Sequence, residues 1–163
     1  MLDQLLAGIA DAINPALAML ALLVPWIDLE AAHEKDSPWS FWARTLLGLV
    51  VVYSIKFADR LWLDTLFWSP IGIHYSTHTA FAVSITTSLG AINRRWIFFL
   101  LPVLVIYAGL MVHLRYHALS DIWTTALMIT PSTWLIHQVG RKQRPLNTSS
   151  RSALNDLPPR KSG

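Results

Sequence analysis

Five apolar runs, each near the length of a membrane-spanning helix and separated by short polar joints, constrain this chain more than any other feature. Crossing a bilayer takes roughly 17–25 mostly apolar residues per helix. The runs fall at residues 13–29, 41–57, 77–92, 96–114 and 119–139. The chain is 53% hydrophobic and only 14% charged, with a mean hydropathy of +0.41. A soluble domain of 163 residues has too little interior for so much apolar sequence, so lipid is the expected solvent. The expected fold is all-α: an integral membrane helical bundle with about five transmembrane helices. The bundle occupies residues 1–140, and a basic, disordered cytoplasmic tail occupies 141–163.

Local signs refine this picture. Pro15 lies near the expected start of the first run, where proline costs little, and Pro131 is expected to kink the fifth. The third run contains Ser84, Thr86, Thr87 and Ser88, which suits a helix packed among others better than one facing lipid. Trp26, Trp39, Trp42, Trp96 and Trp123 fall near expected helix ends, as an interfacial belt requires. Residues 61–68 are too few to span and read as an amphipathic helix in the outer interface, either a cap on the bundle or the border of a lipid route.

Charge sets the expected orientation. Residues 1–140 carry seven Lys or Arg against nine Asp or Glu, whereas the tail carries six against Asp156 alone. The excess is a juxtamembrane basic segment suited to anionic lipid, and nucleic acid is a poor match. The basic turn Asn93-Arg94-Arg95 and the run Arg141-Lys142-Gln143-Arg144 are expected inside, together with the loop between Lys35 and Arg44. The N-terminus is then outside. It lacks the positive region of a signal peptide, so the first run is expected to be retained. Three cations remain outside: Lys56, Arg60 and Arg115. There is no cysteine, which excludes disulfides and thiolate metal sites.

Those cations flank two polar windows, His74-Tyr75-Ser76-Thr77-His78-Thr79-Ala80 and His113-Leu114-Arg115-Tyr116-His117-Ala118-Leu119-Ser120-Asp121. Both lie at the outer ends of apolar runs, so the topology brings them to one membrane face. Ionisable groups beside membrane helices are expensive and usually face a partner or a cavity. His74 and His78 are four apart, as are His113, His117 and Asp121, a spacing that stacks side chains wherever the backbone is helical. Ser76-Thr77 is placed to cap the third helix, whose N-terminus would seat a phosphate. Lys56, Arg60 and Arg115 could add positive charge there, although Lys56 and Arg60 could equally snorkel to the interface. Two histidines can divide phosphoryl transfer, one attacking phosphorus and one protonating the departing oxygen, with Asp121 fixing the tautomer of its histidine. Such a site needs no metal and no cofactor. His33 and His137 read as interfacial hydrogen-bonding residues.

At these windows the chain resembles the type 2 phosphatidic acid phosphatase superfamily, which includes lipid phosphate phosphatases and vanadium haloperoxidases. Ser76-Thr77-His78-Thr79 is similar to the Ser-Gly-His-Thr core of that family's second motif, and His117-x-x-x-Asp121 matches the end of its third. The resemblance covers residues 50–130. It implies that His117 is the nucleophile forming a phosphohistidine, Asp121 its orienting partner and His78 the general acid, while Ser76 and the N–H of Thr77 bind phosphate. Three departures stand out. Lys56 is followed by Arg60 after three residues with no Arg-Pro, Met111 occupies the usual arginine position of the third motif, and Tyr75 and Thr77 replace a Pro and a Gly. Arg115, two residues before His117, is the candidate to stand in for that arginine.

The expected activity is metal-independent hydrolysis of a phosphomonoester or pyrophosphate on a lipid, with the site facing the periplasm of a bacterial inner membrane. Sphingolipid head-group transferases also keep the two His and the Asp, so phosphotransfer to an acceptor is one alternative. A metalloenzyme using His74, His78, His113, His117 and Asp121 is another. A catalytically silent scaffold is the third.

Overall fold

A computed structural model of the chain describes residues 1–28, 37–58 and 74–139 in full, with the helical backbone of 29–31 and 140–142. The expected interfacial helix at 61–68, Arg60, His33 and the tail from residue 143 lie outside the described residues. Within them all regular structure is helical, and there are five helices: α1 (Leu2–Ala31), α2 (Pro38–Ala58), α3 (Thr77–Ile92), α4 (Arg95–His113) and α5 (Leu119–Lys142). The all-α expectation holds.

Helix α3 is the hub, packed against each of the other four. Its burial is nearly all-round, running without a break from Ala82 to Ala91. Sequence explains how one helix can touch four neighbours. Ala80, Ala82, Ser84, Ser88, Gly90 and Ala91 are small, so neighbouring backbones approach closely, and the hydroxyls of Thr79, Ser84 and Ser88 find partners inside the bundle. At Gly90 an added Cβ would run into the side chain of Ile97 on α4.

Three helices among the described residues, over Leu2–Asp28, Pro38–Ala58 and Arg95–His113, are long and apolar enough to cross a membrane, which marks the protein as membrane-embedded. That is fewer than the five spans expected, for physical reasons. Helix α3 has 16 residues and is about 24 Å long, short of a hydrocarbon core of roughly 30 Å. Helix α5 is diluted by Ser and Thr. Three of its hydroxyls, on Thr124, Thr130 and Ser132, donate to the carbonyls of Ser120, Ala126 and Met128 four residues back, each at 2.8 Å. A hydroxyl satisfied by its own helix presents mainly carbon to its surroundings. Outward-facing apolar side chains clothe the bundle, among them Ile27, Leu46, Phe98, Ile106 and Leu127.

The buried face of α5 is a stripe at every fourth residue: Asp121, Thr125, Ile129, Thr133 and His137. It meets a matching stripe on α3. The Ser76 N–H donates to Thr125 Oγ1 at 3.1 Å, Thr133 Oγ1 donates to Ser84 Oγ at 3.3 Å, and His137 Nε2 lies 3.0 Å from Ser88 Oγ. Each rung joins residues 49 apart, so α3 and α5 run parallel in one fixed register. His137 is therefore a buried packing residue beside Phe41, not an interfacial one.

Two further expectations are corrected. Helix α1 begins at Leu2, not at residue 13, and Pro15 lies in its interior, where it cannot donate to the Asp11 carbonyl. Ala and Leu carry the helix through Asp3 and Asp11, and the former suits a first turn. The tryptophans do sit near helix ends, but Trp42 and Trp96 also tie helices together. Trp42 Nε1 donates to the Ala21 carbonyl at 3.0 Å, and Trp96 Nε1 donates to Asp28 Oδ2 at 2.6 Å.

Candidate active site

The N-terminus of α3, the turn from α4 into α5 and the first turn of α5 converge at one end of the bundle, joined there by the last turns of α2. Asp121 holds this junction together. Its side chain is buried, with 4% of the residue exposed. Oδ1 accepts the backbone N–H of His74 at 2.8 Å, and Oδ2 accepts that of Ala118 at 3.1 Å. Oδ2 also faces His117 Nδ1 at 3.7 Å, close enough for charge to act but longer than a hydrogen bond. One carboxylate thus ties the segment before α3 to the turn before α5, the two sequence windows. Because Nδ1 of His117 faces Asp121, Nε2 is the nitrogen left to react.

Burial pushes the His117 pKa below its ordinary value, the Asp121 charge opposes this, and the charges of His78 and His74 reinforce it. A largely neutral imidazole carries a lone pair, as a nucleophile must.

Ser76 caps α3 as its sequence position predicts. Its backbone is extended, its hydroxyl accepts the N–H of Thr79 at 3.3 Å, and it pairs with Thr79 Oγ1 at 2.9 Å. The residue is fully buried and its N–H is bound to Thr125, so its polar atoms are engaged within the fold. The next first-turn N–H groups, of Thr77 and His78, have no acceptor within the helix. Tyr75 pins the same segment from the other side: its hydroxyl donates to the Val52 carbonyl of α2 at 3.0 Å, and burial, then the neighbouring Tyr53, push its pKa up.

The turn from α4 into α5 is a Schellman motif. The N–H of Tyr116 donates to Met111 O at 3.0 Å, and that of Arg115 donates to Val112 O at 3.1 Å. Arg115 therefore occupies the left-handed position, with φ 57°, where glycine is usual. The turn stops α4 at His113, so the backbone is not helical through His117 and the condition for stacking His113, His117 and Asp121 is not met. His74 likewise precedes α3 and does not stack on His78. His113 points instead toward Asp3 of α1, at 3.9 Å, with both side chains exposed.

Lys56 is exposed in the last turn of α2, at the site end of the bundle, and Arg115 is exposed on its turn. Arg60 lies outside the described residues. His78 opens onto a crevice of about 360 Å³ between α1, α2 and α3, lined also by Asn14, Tyr53 and Phe81. On the other side of α3, between α4 and α5, runs an apolar groove of about 680 Å³ lined by Val83, Leu104, Ile122 and Ala126. It reaches His113 and Leu119 at the site end. Among the described residues, no three His, Asp or Glu side chains are grouped as ligands of one metal ion.

Two residues at the site escaped the sequence reading. Thr125, four beyond Asp121, could have been found by extending the same helical stripe. Asn14, an isolated amide at the edge of an apolar run, carried the weaker signal of a polar residue placed where it is costly. Comparison with protein-family models, with curated proteins and with solved structures finds no match to this chain.

Proposed function

We propose that the protein is a membrane lipid phosphatase that hydrolyses a lipid phosphomonoester or pyrophosphate through a phosphohistidine at His117. The observation that carries this reading is the buried Asp121 carboxylate, which ties both histidine windows together and faces His117 Nδ1. In the first step Nε2 of His117 attacks phosphorus, the P–O bond to the lipid breaks, and His78 gives its proton to the leaving oxygen. In the second, water attacks the same phosphorus, His78 takes the water proton, and the N–P bond breaks to release phosphate. Asp121 stabilises the imidazolium character that His117 gains while bonded to phosphorus. The first-turn N–H groups of α3, with Lys56, Arg60 and Arg115, supply positive potential for the phosphoryl oxygens.

The groove between α4 and α5 supports a lipid substrate, since it is apolar and reaches His113 and Leu119 at the site end of the bundle. In this reading the protein lies in a bacterial inner membrane with the site facing the periplasm, consistent with the basic Asn93-Arg94-Arg95 turn at the opposite end of α3.

The test is phosphate release from phosphatidate, phosphatidylglycerophosphate, undecaprenyl pyrophosphate and lipid A, with and without an alcohol acceptor, by wild type and His117→Ala. Turnover lost in the variant and an acid-labile phosphoenzyme in wild type are expected. No release from any of these lipids, or equal turnover in the variant, would sink the reading.

A further inference from the structure

His117 has a carboxylate at its back; His78 has an amide. Asn14 lies on α1 at the level of the first turn of α3, and its Nδ2 is 3.3 Å from His78 Nδ1. Its Oδ1 is buried without a partner. The hydroxyl of Tyr107 on α4 lies beside the same amide, itself buried and short of good hydrogen-bond geometry. The buried Oδ1 must repay its desolvation through the bonds it makes, and the ring that the amide meets is the one facing the crevice.

An imidazole held at one nitrogen presents the other, so whatever binds Nδ1 decides what Nε2 can do. A residue that first donates a proton and then accepts one must be stable in both charge states. A carboxylate at Nδ1 would favour the cation. A carboxamide has a donor and an acceptor on one planar group, and a half-turn exchanges them. Facing Nδ1 with Nδ2, Asn14 supports the bare nitrogen. Facing it with Oδ1, which otherwise lacks a partner, it accepts Nδ1–H.

We infer that Asn14 is the positioning residue of His78: its amide holds Nδ1 in either charge state and keeps Nε2 aimed at the leaving oxygen and then at water. This rests on the proposed role of His78 as general acid. Other titratable groups around this region are Asp11 on α1, Tyr53 on α2, Tyr107 on α4, His74 before α3, His117 on the turn and Asp121 on α5.

The experiment compares full-length wild type, Asn14→Asp, Asn14→Leu and His78→Ala in lipid nanodiscs, reading the pH profile of kcat and the 15N titration of the His78 ring. Asn14→Asp is expected to move the His78 titration, and with it the alkaline limb of kcat, upward by roughly one unit or more, because a carboxylate in contact favours the cation. Asn14→Leu is expected to lower kcat roughly 10- to 100-fold at unchanged KM, the cost of a misaligned acid. A His78 titration that Asn14→Asp leaves in place overturns the inference, whether or not the protein turns over. So does normal kcat in folded Asn14→Leu, which would make Asn14 a packing residue. Full turnover in His78→Ala would instead defeat the assignment of the acid. The titration does not depend on that assignment, so the two failures are distinct.

Discussion

The proposed attack of His117 on phosphorus requires that Nε2 lack a proton. Its burial, helped by the charges of His78 and His74 and opposed by Asp121, pulls its pKa below 6.5. The acid limb of kcat/KM is therefore expected below that value. Asp121→Asn removes the influence that raises the pKa, so the limb should move further down while kcat falls on the order of 100-fold or more through loss of imidazolium stabilisation. A pH–rate profile of the two proteins checks both signs, and a wild-type limb above the ordinary histidine value would contradict them. Arg115 poses a separate question, because it combines an exposed cation with a left-handed backbone that costs an L-residue about 1–2 kcal/mol. Arg115→Gly should relieve the backbone and raise Tm, whereas Arg115→Ala should not. If the guanidinium binds phosphate, both variants should raise KM about tenfold, an amount typical of one lost charged contact. If Arg115 serves only the turn, Arg115→Gly should keep its KM. The nearness of Asp121 to His117 could be read from their closeness in sequence, although His117 lies on the turn before α5 and not on the helix. The strain at Arg115 could not, because the usual sign of a left-handed residue is a glycine and none is there.

At the scale of the element, α3 works because it is thin. The two glycines that bound its packing should answer differently to one methyl group. A Cβ at Gly48 on α2 would find Ser84 Oγ at 3.5 Å and Thr133 Cγ2 at 3.7 Å, ordinary contacts. Gly48→Ala is therefore expected to fold well and gain up to about 1 kcal/mol from helix propensity. Gly90→Ala would drive Ile97 off its place on α4 and should cost about 1–3 kcal/mol. Thermal unfolding in detergent distinguishes the two. The boundaries of α3 were legible because Ser76 offers a cap at one end and Asn93 a stop at the other. Those of α1 were not, because Asp3 and Asp11 look like the polar edge of an apolar run. Asp3 is tolerated because α1 starts at the exposed rim of the bundle, where the carboxylate lies 3.9 Å from His113. The histidines do not stack by helical spacing for a related reason. Four-residue spacing describes a helix, and residues 74 and 117 sit in the segments that stop being helical.

Taken whole, the molecule is three apolar helices and a hydroxyl-rich fourth around a polar hub, with a groove left where α4 and α5 separate. Gly109 lines that groove, and a Cβ there would meet nothing within 4 Å. Gly109→Phe should therefore fold, fill the groove and raise KM for a long-chain lipid phosphate by about tenfold or more. A short-chain soluble phosphate ester should be hydrolysed as before; equal effects on the two substrates would mean that the chain lies elsewhere. The bundle as a class was readable from its apolar runs. The groove was not, since it depends on which pairs of helices fail to pack, and composition is silent on that. The parallel register of α3 and α5 has a consequence of its own. An extra residue between Thr125 and Thr133 would turn one part of α5 about 100° against the other, so Thr125 and His137 could not both keep their partners. An extra residue in the turn before Leu119 would leave the three α3–α5 rungs intact and disturb the turn that carries His117 and Ala118. Chain-length errors thus sort by address: those in the middle of α5 break the α3–α5 register, and those in the turn keep that register and move the His117 ring against Asp121.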